Sequence, residues 1–327
     1  KGAVTLFGQP LFYKPAGQAS DLFKSLSGRE NSDIYIIFAA DKPPLRQAAS
    51  RHGSNKFVSA PGLHCLCPEN NDTMESLKEL YKIGNGPSSS HTMGPKKAAE
   101  RFAERCHDAD AYRVTLYGSL AATGKGHLTD AAILSVLASL APTEIVWKPE
   151  VVLPFHPNGM LFEGLKAGNV ADSWTIYSIG GGALANETSR LETPHSIYPL
   201  TTVSEIKAWC SHEGKTYWEY VTDCEGPEIW GYLDEIWTVM CETIQRGLNN
   251  DGVLPGGLKV ARKASTYWVK SKSYTDSLKS RAQIYAYALA TSEENASGGT
   301  VVTAPTCGSC GVVPAVLYHL ANSRNFL

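Results

Sequence analysis

The amino-acid sequence predicts an α+β N-terminal domain followed by a mainly α-helical domain. A chain of 327 residues corresponds to about two domains. Apolar and polar residues alternate in Tyr112–Leu120, as they do in a half-buried strand. Beyond about Pro199, by contrast, apolar residues recur at helical spacing and the strand patterns fade. We therefore place a domain boundary near residue 200.

Residues 1–73 are predicted to be a loose extension of unknown role. They mix Pro, Gly, Ser and Asn with one strand-like run, Ile34–Ala40. The pattern sharpens at Met74, which we take as the start of the folded unit. We expect the extension to be dispensable for the fold.

Individual elements follow from the periodicity within each block. In residues 74–200 the pattern predicts helices at Pro95–His107 and Thr129–Leu140 and strands at Tyr112–Leu120, Glu144–Leu153 and Ser173–Ile179. In residues 201–327 it predicts helices at Ser204–His212, Glu228–Asn249, Leu258–Ser271 and Thr275–Ser292, and one more that begins near Gly311. The first block is therefore mixed and the second is helical.

Charge and composition exclude several classes of function. The net charge is −2 and the pI is about 6.5, so the chain lacks the basic footprint of a nucleic-acid-binding protein and the polybasic run that binds anionic lipid. Its longest apolar stretch, Ala131–Ala141, is shorter than the about 20 residues that cross a bilayer. Eight cysteines in a chain of this length fit a reducing compartment. We predict a cytoplasmic protein without nucleic-acid or membrane partners.

The segment Gly86–Pro95 (GPSSSHTMGP) carries the strongest functional pattern. Three serines, a histidine and a threonine stand before a predicted helix whose first turn suits Pro95. A helix start attracts anions such as a carboxylate, and the serine hydroxyls add donors. His91 is a candidate general base because the ordinary pKa of histidine lies near working pH. The alternative is a capped helix with an exposed histidine.

Three further loops combine glycines with polar side chains. In Gly124–His127 (GKGH), Lys125 can hold an anion and His127 can transfer protons, while the glycines admit a ligand to the backbone. His156–Met160 (HPNGM) has the composition of a turn. Ser178–Gly182 (SIGGG) is either a plain turn or a surface against which a substrate lies. For each loop the ordinary-turn interpretation stays open.

Cys307 and Cys310 form a CxxC pattern at the start of the last predicted helix. A helix N-terminus favours thiolate, so at least one of the two is expected to be reactive or metal-bound. A redox pair needs a βαβ surrounding that the helical block does not offer. Zinc needs two further ligands, and an iron–sulfur cluster needs several cysteines.

The other cysteines show weaker patterns. His64, Cys65 and Cys67 form a possible metal half-site, for which a mobile or foreign extension is the alternative. The remaining four are expected to be small buried hydrophobic residues; they are Cys106, Cys210, Cys224 and Cys241.

Six motifs in a fixed order resemble the bacterial iron–sulfur L-serine dehydratases (L-serine ammonia-lyases). They are GPSSSHTMGP, GSLAATGKGHLTD, HPNGM, SIGGG, LPGGLKVARKA and EENASGGTVVTAPTCGSCGVVPAVL. The resemblance covers about residues 74–327 and is closest to the single-chain type. It implies that residues 74–200 are the β-type domain, which is similar to small-molecule-sensing domains, and that residues 201–327 belong to the helical, catalytic α-type domain.

The resemblance also implies a reaction and a cofactor. L-Serine would be converted to pyruvate and ammonia with an oxygen-sensitive 4Fe–4S cluster and without pyridoxal phosphate. Three cysteines would hold the cluster and leave one iron open as a Lewis acid. Cys310 matches a ligand cysteine, whereas Cys307 falls where the family often has Asn. The remaining ligands are expected beyond Leu327, which would make the α-type domain incomplete at its C-terminus.

Residue by residue, the resemblance implies a substrate loop and three candidate catalytic histidines. The substrate-binding candidates are Ser88, Ser89, Ser90, Thr92, Lys125 and Asn158. The histidines are His91, His127 and His156, and the choice of base among them stays open. L-Serine is the expected small-molecule partner, and a homodimer is the oligomer we consider.

Two other functions compete with this interpretation. A related enzyme would act on L-threonine or L-cysteine, since a pocket separates substrates that differ by one methyl group only about 10–200-fold. A non-catalytic amino-acid-binding module would bind serine and form no pyruvate.

Overall fold

The computed structural model describes residues 74–187 and 196–323. Within them, a five-stranded mixed sheet dominates the first part and helices dominate the second. The extension 1–73, with its strand-like run and its CxC half-site, lies outside the described residues. None of the described helices is long and apolar enough to cross a membrane.

The sheet is built from strands in the order β4-β3-β5-β6-β7. The strands are β3 (Ala111–Tyr117), β4 (Thr143–Lys148), β5 (Gly159–Lys166), β6 (Asn169–Gly180) and β7 (Ala183–Ala185). Only β3 and β4 pair in parallel, and the crossover between them carries two helices. The other neighbours pair antiparallel.

Two helices cover one face of this sheet and complete its core. They are α2 (Gly94–Arg105) and α4 (Thr129–Leu137), and a one-turn helix, α1 (Leu77–Leu80), precedes them in the chain. Phe102 of α2 packs with β3 and β5 residues in a cluster of fully buried side chains, among them Val114, Leu116 and Phe162. Burial of such a side chain contributes about 1.5–3 kcal/mol. This core fixes the edge of the sheet from which the functional loops emerge.

Two of the predicted strands extend beyond the strands that the chain forms. The strand predicted at Tyr112–Leu120 ends at Tyr117, because Gly118 adopts a φ of +47° and starts the short helix α3 (Gly118–Thr123). The strand predicted at Glu144–Leu153 ends at Lys148. Strand β5 was missed because two glycines and a preceding Pro-Asn-Gly turn interrupt its alternation.

The helical part confirms most of the predicted helices. It contains α5 (Val203–Glu213), α6 (Tyr217–Glu225), α7 (Ile229–Leu248), α8 (Ala264–Ser271), α9 (Asp276–Ala296) and α10 (Val312–Ser323). The helix predicted from Leu258 begins only at Ala264. The preceding segment instead forms a turn in which Leu254 N–H donates to the Val260 carbonyl at 2.8 Å. Helix α6 was missed, although its Thr216–Glu219 capping box is a sequence signal for a helix start.

Two pairs of very short strands tie distant parts of the chain together. Strands β1 (Met74–Glu75) and β8 (Ser196–Tyr198) pair antiparallel. So do β2 (Ile83–Asn85) and β9 (Thr300–Val302). The second pairing joins the segment before the serine-rich loop to the segment before the CxxC turn and crosses the predicted boundary at residue 200. That boundary stays a prediction.

Candidate active site

The serine-rich loop folds as a single π-helical turn, Ser89–Met93, immediately before α2. The Ser88 hydroxyl accepts the His91 N–H at 3.1 Å, and the Ser88 carbonyl accepts the N–H groups of Thr92 and Met93. Pro95 lies in the first turn of α2, as predicted. The turn thus exposes the polar side chains of Ser88, Ser90 and His91 at a fixed helix start.

His91 stands between two serine hydroxyls. Its Nδ1 lies 2.9 Å from Ser90 Oγ, and its Nε2 lies 3.0 Å from Ser119 Oγ. Burial and the neighbouring His127 lower the pKa of His91 from its ordinary value of 6.5, while a hydrogen bond with the backbone of Ser119 opposes this effect. The imidazole is therefore predominantly neutral at pH 7, which is the form that accepts a proton.

His127 lies beside His91, in the turn between α3 and α4. The two ring centroids are 4.7 Å apart and the planes are tilted by 39°. The His127 carbonyl accepts the Thr92 hydroxyl at 2.7 Å, and its Nδ1 lies 3.0 Å from the Thr123 carbonyl. The GKGH turn therefore meets the serine-rich loop, as expected of a shared site. Lys125 is exposed and places its Nζ 5.7 Å from the centroid of the Trp147 ring.

The HPNGM loop braces the site through Asn158. This side chain is buried, and its Nδ2 donates to the Ser178 carbonyl at 3.1 Å. The Ser178 N–H donates back to the Asn158 carbonyl at 3.0 Å. His156 Nδ1 accepts the Asn158 N–H at 3.1 Å. Within the described part of the chain, no hydrogen bond or ring contact joins His156 to His91. Pro157 holds the Ser119 N–H at 3.0 Å through its carbonyl.

The SIGGG segment is a left-handed turn that faces the serine-rich loop. Gly180, Gly181 and Gly182 have φ angles of +107°, +59° and +75°, a region that L side chains rarely adopt. A Cβ on Gly182 would lie 3.7 Å from the Met93 side chain, whereas the other two face open space. The glycines therefore form a specific turn at the rim of the site.

Cys307 and Cys310 are buried against Met93 and Val301. Cys307 Sγ lies 3.6 Å from Met93 Sδ, which places the CxxC turn beside the serine-rich loop. Burial raises the pKa of Cys307 to about 11 and that of Cys310 to about 12. For the free thiols, burial thus outweighs the effect of the nearby helix start. That at least one of the two is reactive or metal-bound stays a prediction.

Among the described residues, the CxxC turn brings two thiols together, fewer than an iron–sulfur cluster requires. Cys307 and Cys310 are soft ligands of the type that such clusters use. Yet residues 74–187 and 196–323 contain no group of three or more His, Cys, Asp or Glu side chains placed to hold a metal ion. The described residues alone therefore do not form a complete donor set for such a cluster.

The other cysteines follow the sequence expectation in part. Cys106 and Cys210 are buried, as expected of small hydrophobic residues, whereas Cys224 and Cys241 are half-buried. Burial still raises the pKa of Cys241 to about 12. These four are free thiols in the structure.

Two supporting groups were missed by sequence reasoning, although both lie inside quoted motifs. Ser119 belongs to GSLAATGKGHLTD and contacts His91. Asn295 belongs to EENASGG and donates from Nδ2 to the Pro87 carbonyl at 3.2 Å. Gly299, four residues later, holds the same loop, since its carbonyl accepts the Gly86 N–H at 3.0 Å. Position within a motif was the signal; neither side chain has a distinctive spacing.

A buried ion pair anchors this supporting segment. Glu294 accepts from Arg262 Nη1 at 2.8 Å and from Asn250 Nδ2 at 3.1 Å, and both charged side chains are more than 90% buried. Glu293 accepts the Lys263 N–H at 2.6 Å. The LPGGLKVARKA segment is thereby tied to α9. A polar cleft of about 630 Å³ opens beside Glu294 and is lined by none of the candidate site residues.

Gly94 leaves no room for a side chain at the start of α2. A Cβ there would lie 2.2 Å from Ser178 Oγ, a buried hydroxyl without a hydrogen-bond partner. We expect Gly94→Ala to lower the free energy of unfolding by about 1–3 kcal/mol through overpacking. Urea unfolding measures this loss of stability, and Ser178→Ala and the double variant complete a double-mutant cycle. The double variant should cost less than the sum of the single variants, and strict additivity would contradict this contact.

Comparison with known proteins agrees with the motifs. Residues 76–146 match the family described as serine dehydratase beta chain. L-serine dehydratase TdcG of Escherichia coli K12 is 36% identical, over 77% of this chain and 67% of the relative. The chain belongs to the L-serine dehydratase family.

Other members of the L-serine dehydratase family show the same relation. L-serine dehydratase 1 of Escherichia coli K12 is 35% identical over 75% of this chain and 66% of the relative. L-serine dehydratase of Streptomyces coelicolor is 35% identical over 76% of this chain and 66% of the relative. The chain spans about two thirds of the length of these curated relatives.

Proposed function

We propose that this protein is an L-serine ammonia-lyase that converts L-serine to pyruvate and ammonia. The observation that carries the proposal is the position of the His91 imidazole between the hydroxyls of Ser90 and Ser119, and burial lowers the pKa of this ring. The printed names of the relatives, L-serine dehydratases, support the choice of substrate. The convergence of three histidine- or glycine-bearing loops on this turn is consistent with a single site.

In this proposal the serine-rich loop binds the substrate. Ser88 and Ser90 are half-buried and offer hydroxyls to the substrate carboxylate. Ser89 and Thr92 are buried and shape the loop from below. Lys125 and Asn158 are secondary candidates: the first adds positive charge nearby, and the second braces the loops behind the site.

His91 is the proposed general base. Its neutral imidazole takes the proton from Cα of L-serine, and the electron pair of that bond forms the Cα–Cβ double bond as hydroxide leaves Cβ. The leaving hydroxide takes up the proton that His91 received and departs as water, which returns the imidazole to its neutral form. The resulting aminoacrylate tautomerises to an imine, and water hydrolyses the imine to pyruvate and ammonia. His127, 4.7 Å away ring to ring, is the second candidate for proton transfer, and His156 is the third.

We further propose that Cys310 is one thiolate ligand of a 4Fe–4S cluster. Its burial beside Met93 of the serine-rich turn and its soft sulfur are compatible with that role. Ligands in addition to the described thiols are required. A cytoplasmic location and a homodimer belong to the same proposal, and the free thiols of the described residues are compatible with a reducing compartment.

A single set of assays tests this function. The intact enzyme is purified without oxygen, its iron and sulfide are counted, and product formation is followed from L-serine, L-threonine and L-cysteine. We expect pyruvate and ammonia in equal amounts from L-serine and little 2-oxobutyrate from L-threonine. Preferred turnover of L-threonine or L-cysteine would transfer the proposal to that substrate. Serine binding without pyruvate formation by iron-loaded protein would favour the binding module.

A further inference from the structure

Ser119 contacts the imidazole of His91 on the side opposite the serine-rich turn. Its Oγ lies 3.0 Å from Nε2, whereas Ser90 Oγ lies 2.9 Å from Nδ1. A neutral imidazole has one N–H donor and one acceptor nitrogen. Of the two flanking hydroxyls, one therefore accepts from the ring and the other donates to it. The pair of serines selects the tautomer.

The position of Ser119 is fixed by its backbone. It is the second residue of α3, where Gly118 has a φ of +47° and no space for a Cβ, which would lie 2.7 Å from the Pro157 carbonyl oxygen. Gly118 N–H donates to the Val151 carbonyl at 2.8 Å, and Ser119 N–H donates to the Pro157 carbonyl at 3.0 Å. The HPNGM loop thus holds the backbone of Ser119, whose hydroxyl contacts His91.

We propose that Ser119 is a positioning residue that accepts the Nε2–H of His91 and keeps Nδ1 as the basic nitrogen. This inference rests on the proposed role of His91 as the base. Nδ1 faces the three-serine turn, where Ser90 donates to it in the free protein. Ser88 Oγ, 3.5 Å from Ser90 Oγ, is an alternative acceptor for the Ser90 hydroxyl when the substrate proton approaches. After proton transfer both ring nitrogens carry protons, and Ser119 still accepts one of them.

Apart from His127, the titratable groups around His91 are engaged with other partners. The contact with Ser119 is therefore the one through which a substitution can change the ring. His127 faces the ring from the α3–α4 turn. The other nearby titratable groups have partners of their own. Lys96 on α2 donates to Asn85, Lys125 lies over Trp147, Asp130 on α4 accepts the Ala131 N–H, and Tyr177 on β6 donates to Glu187.

Ser119→Ala in the intact enzyme tests the proposal, with the pKa of His91 followed by hydrogen–deuterium exchange at its C2 position. Ser119 accepts a stronger hydrogen bond from the imidazolium than from the neutral ring, so loss of its hydroxyl lowers the pKa of His91, by about 0.4–1.1 from the difference in strength between the two bonds. We expect kcat to fall about tenfold because the base is less well oriented. Ser119→Thr, which keeps the hydroxyl, should restore both values.

Ser139→Ala is the matched control, since Ser139 is an exposed helix-end serine whose hydroxyl bonds only within its own turn. It should change neither value. An unaltered pKa of His91 in Ser119→Ala, or equal losses in the Ala and Thr variants together with a lower unfolding midpoint, would overturn the positioning role. A lowered pKa with normal kcat would support the contact between Ser119 and His91 but overturn His91 as the base, which separates this inference from the proposed function.

Discussion

Replacement of His91 by alanine is expected to lower kcat about 10²–10⁴-fold, the usual contribution of a general base. The imidazole is the group that removes the Cα proton in the proposed reaction, and both of its nitrogens are engaged by serine hydroxyls. The interaction is made mainly in the transition state, so kcat/KM should fall as well. Pyruvate formation by the intact, anaerobically purified variant measures both constants.

Iron content and cluster absorbance serve as controls for the His91 variant, because they report folding and cofactor loading separately from proton transfer. His127→Ala and His156→Ala are the matched variants. An unchanged kcat with a raised KM in His91→Ala would make His91 a binding residue. The base would then be whichever of the other two histidines shows the large loss of kcat.

Glu294→Gln is expected to lower the free energy of unfolding by about 3 kcal/mol. The change removes a buried carboxylate and leaves the guanidinium of Arg262 without its counter-charge, and breaking one side of a buried ion pair costs about 3–5 kcal/mol. Asn295, the next residue in the chain, donates a hydrogen bond to the Pro87 carbonyl of the serine-rich loop. The variant should therefore also raise KM for L-serine. Urea unfolding measures the first effect and steady-state kinetics the second.

Glu144→Gln is the matched control for this prediction. Glu144 pairs with Arg113 at 3.0 Å on the surface of the sheet, where both side chains are exposed. Exposed pairs contribute little because water screens them. We expect no measurable change in its urea midpoint. Equal unfolding midpoints for Glu294→Gln and the unaltered protein would contradict the anchoring role of the buried pair.

The sequence predicts the elements better than it predicts their ends. Periodicity locates α7 and α9 to within a few residues, because apolar residues recur at helical spacing in both. Leu233, Ile236 and Met240 are buried in α7, and Ala286, Tyr287 and Ala290 are buried in α9. It overextends the strand at Tyr112–Leu120, because the chain turns at Gly118 through a backbone conformation that apolar alternation does not report. Periodicity also predicts that Leu258 is helical. Two preceding glycines and an antiparallel β-bridge between Val253 and Ala261 instead produce a turn.

The composition of the site is predictable, whereas its internal contacts are not. The motifs predict that His91, His127 and the CxxC turn belong to one site, and the structure places them on neighbouring loops. No local pattern indicates that Ser119 faces His91. That contact depends on tertiary pairing, such as the bonds from Gly118 N–H to the Val151 carbonyl and from Ser119 N–H to the Pro157 carbonyl. Long-range pairing of this kind is invisible to a local window of sequence.

The most direct test of the account compares the pKa of His91 with the pH dependence of kcat/KM for L-serine. Burial and His127 lower this pKa below 6.5, so His91 should lose its bound proton, and activity should appear, at a lower pH than an ordinary histidine would allow. We predict that the acidic limb of kcat/KM coincides with the pKa of His91 measured by exchange at C2, and that both lie below 6.5. A limb that instead follows the titration of His127 or His156, or a pKa of His91 above 6.5, would contradict the account.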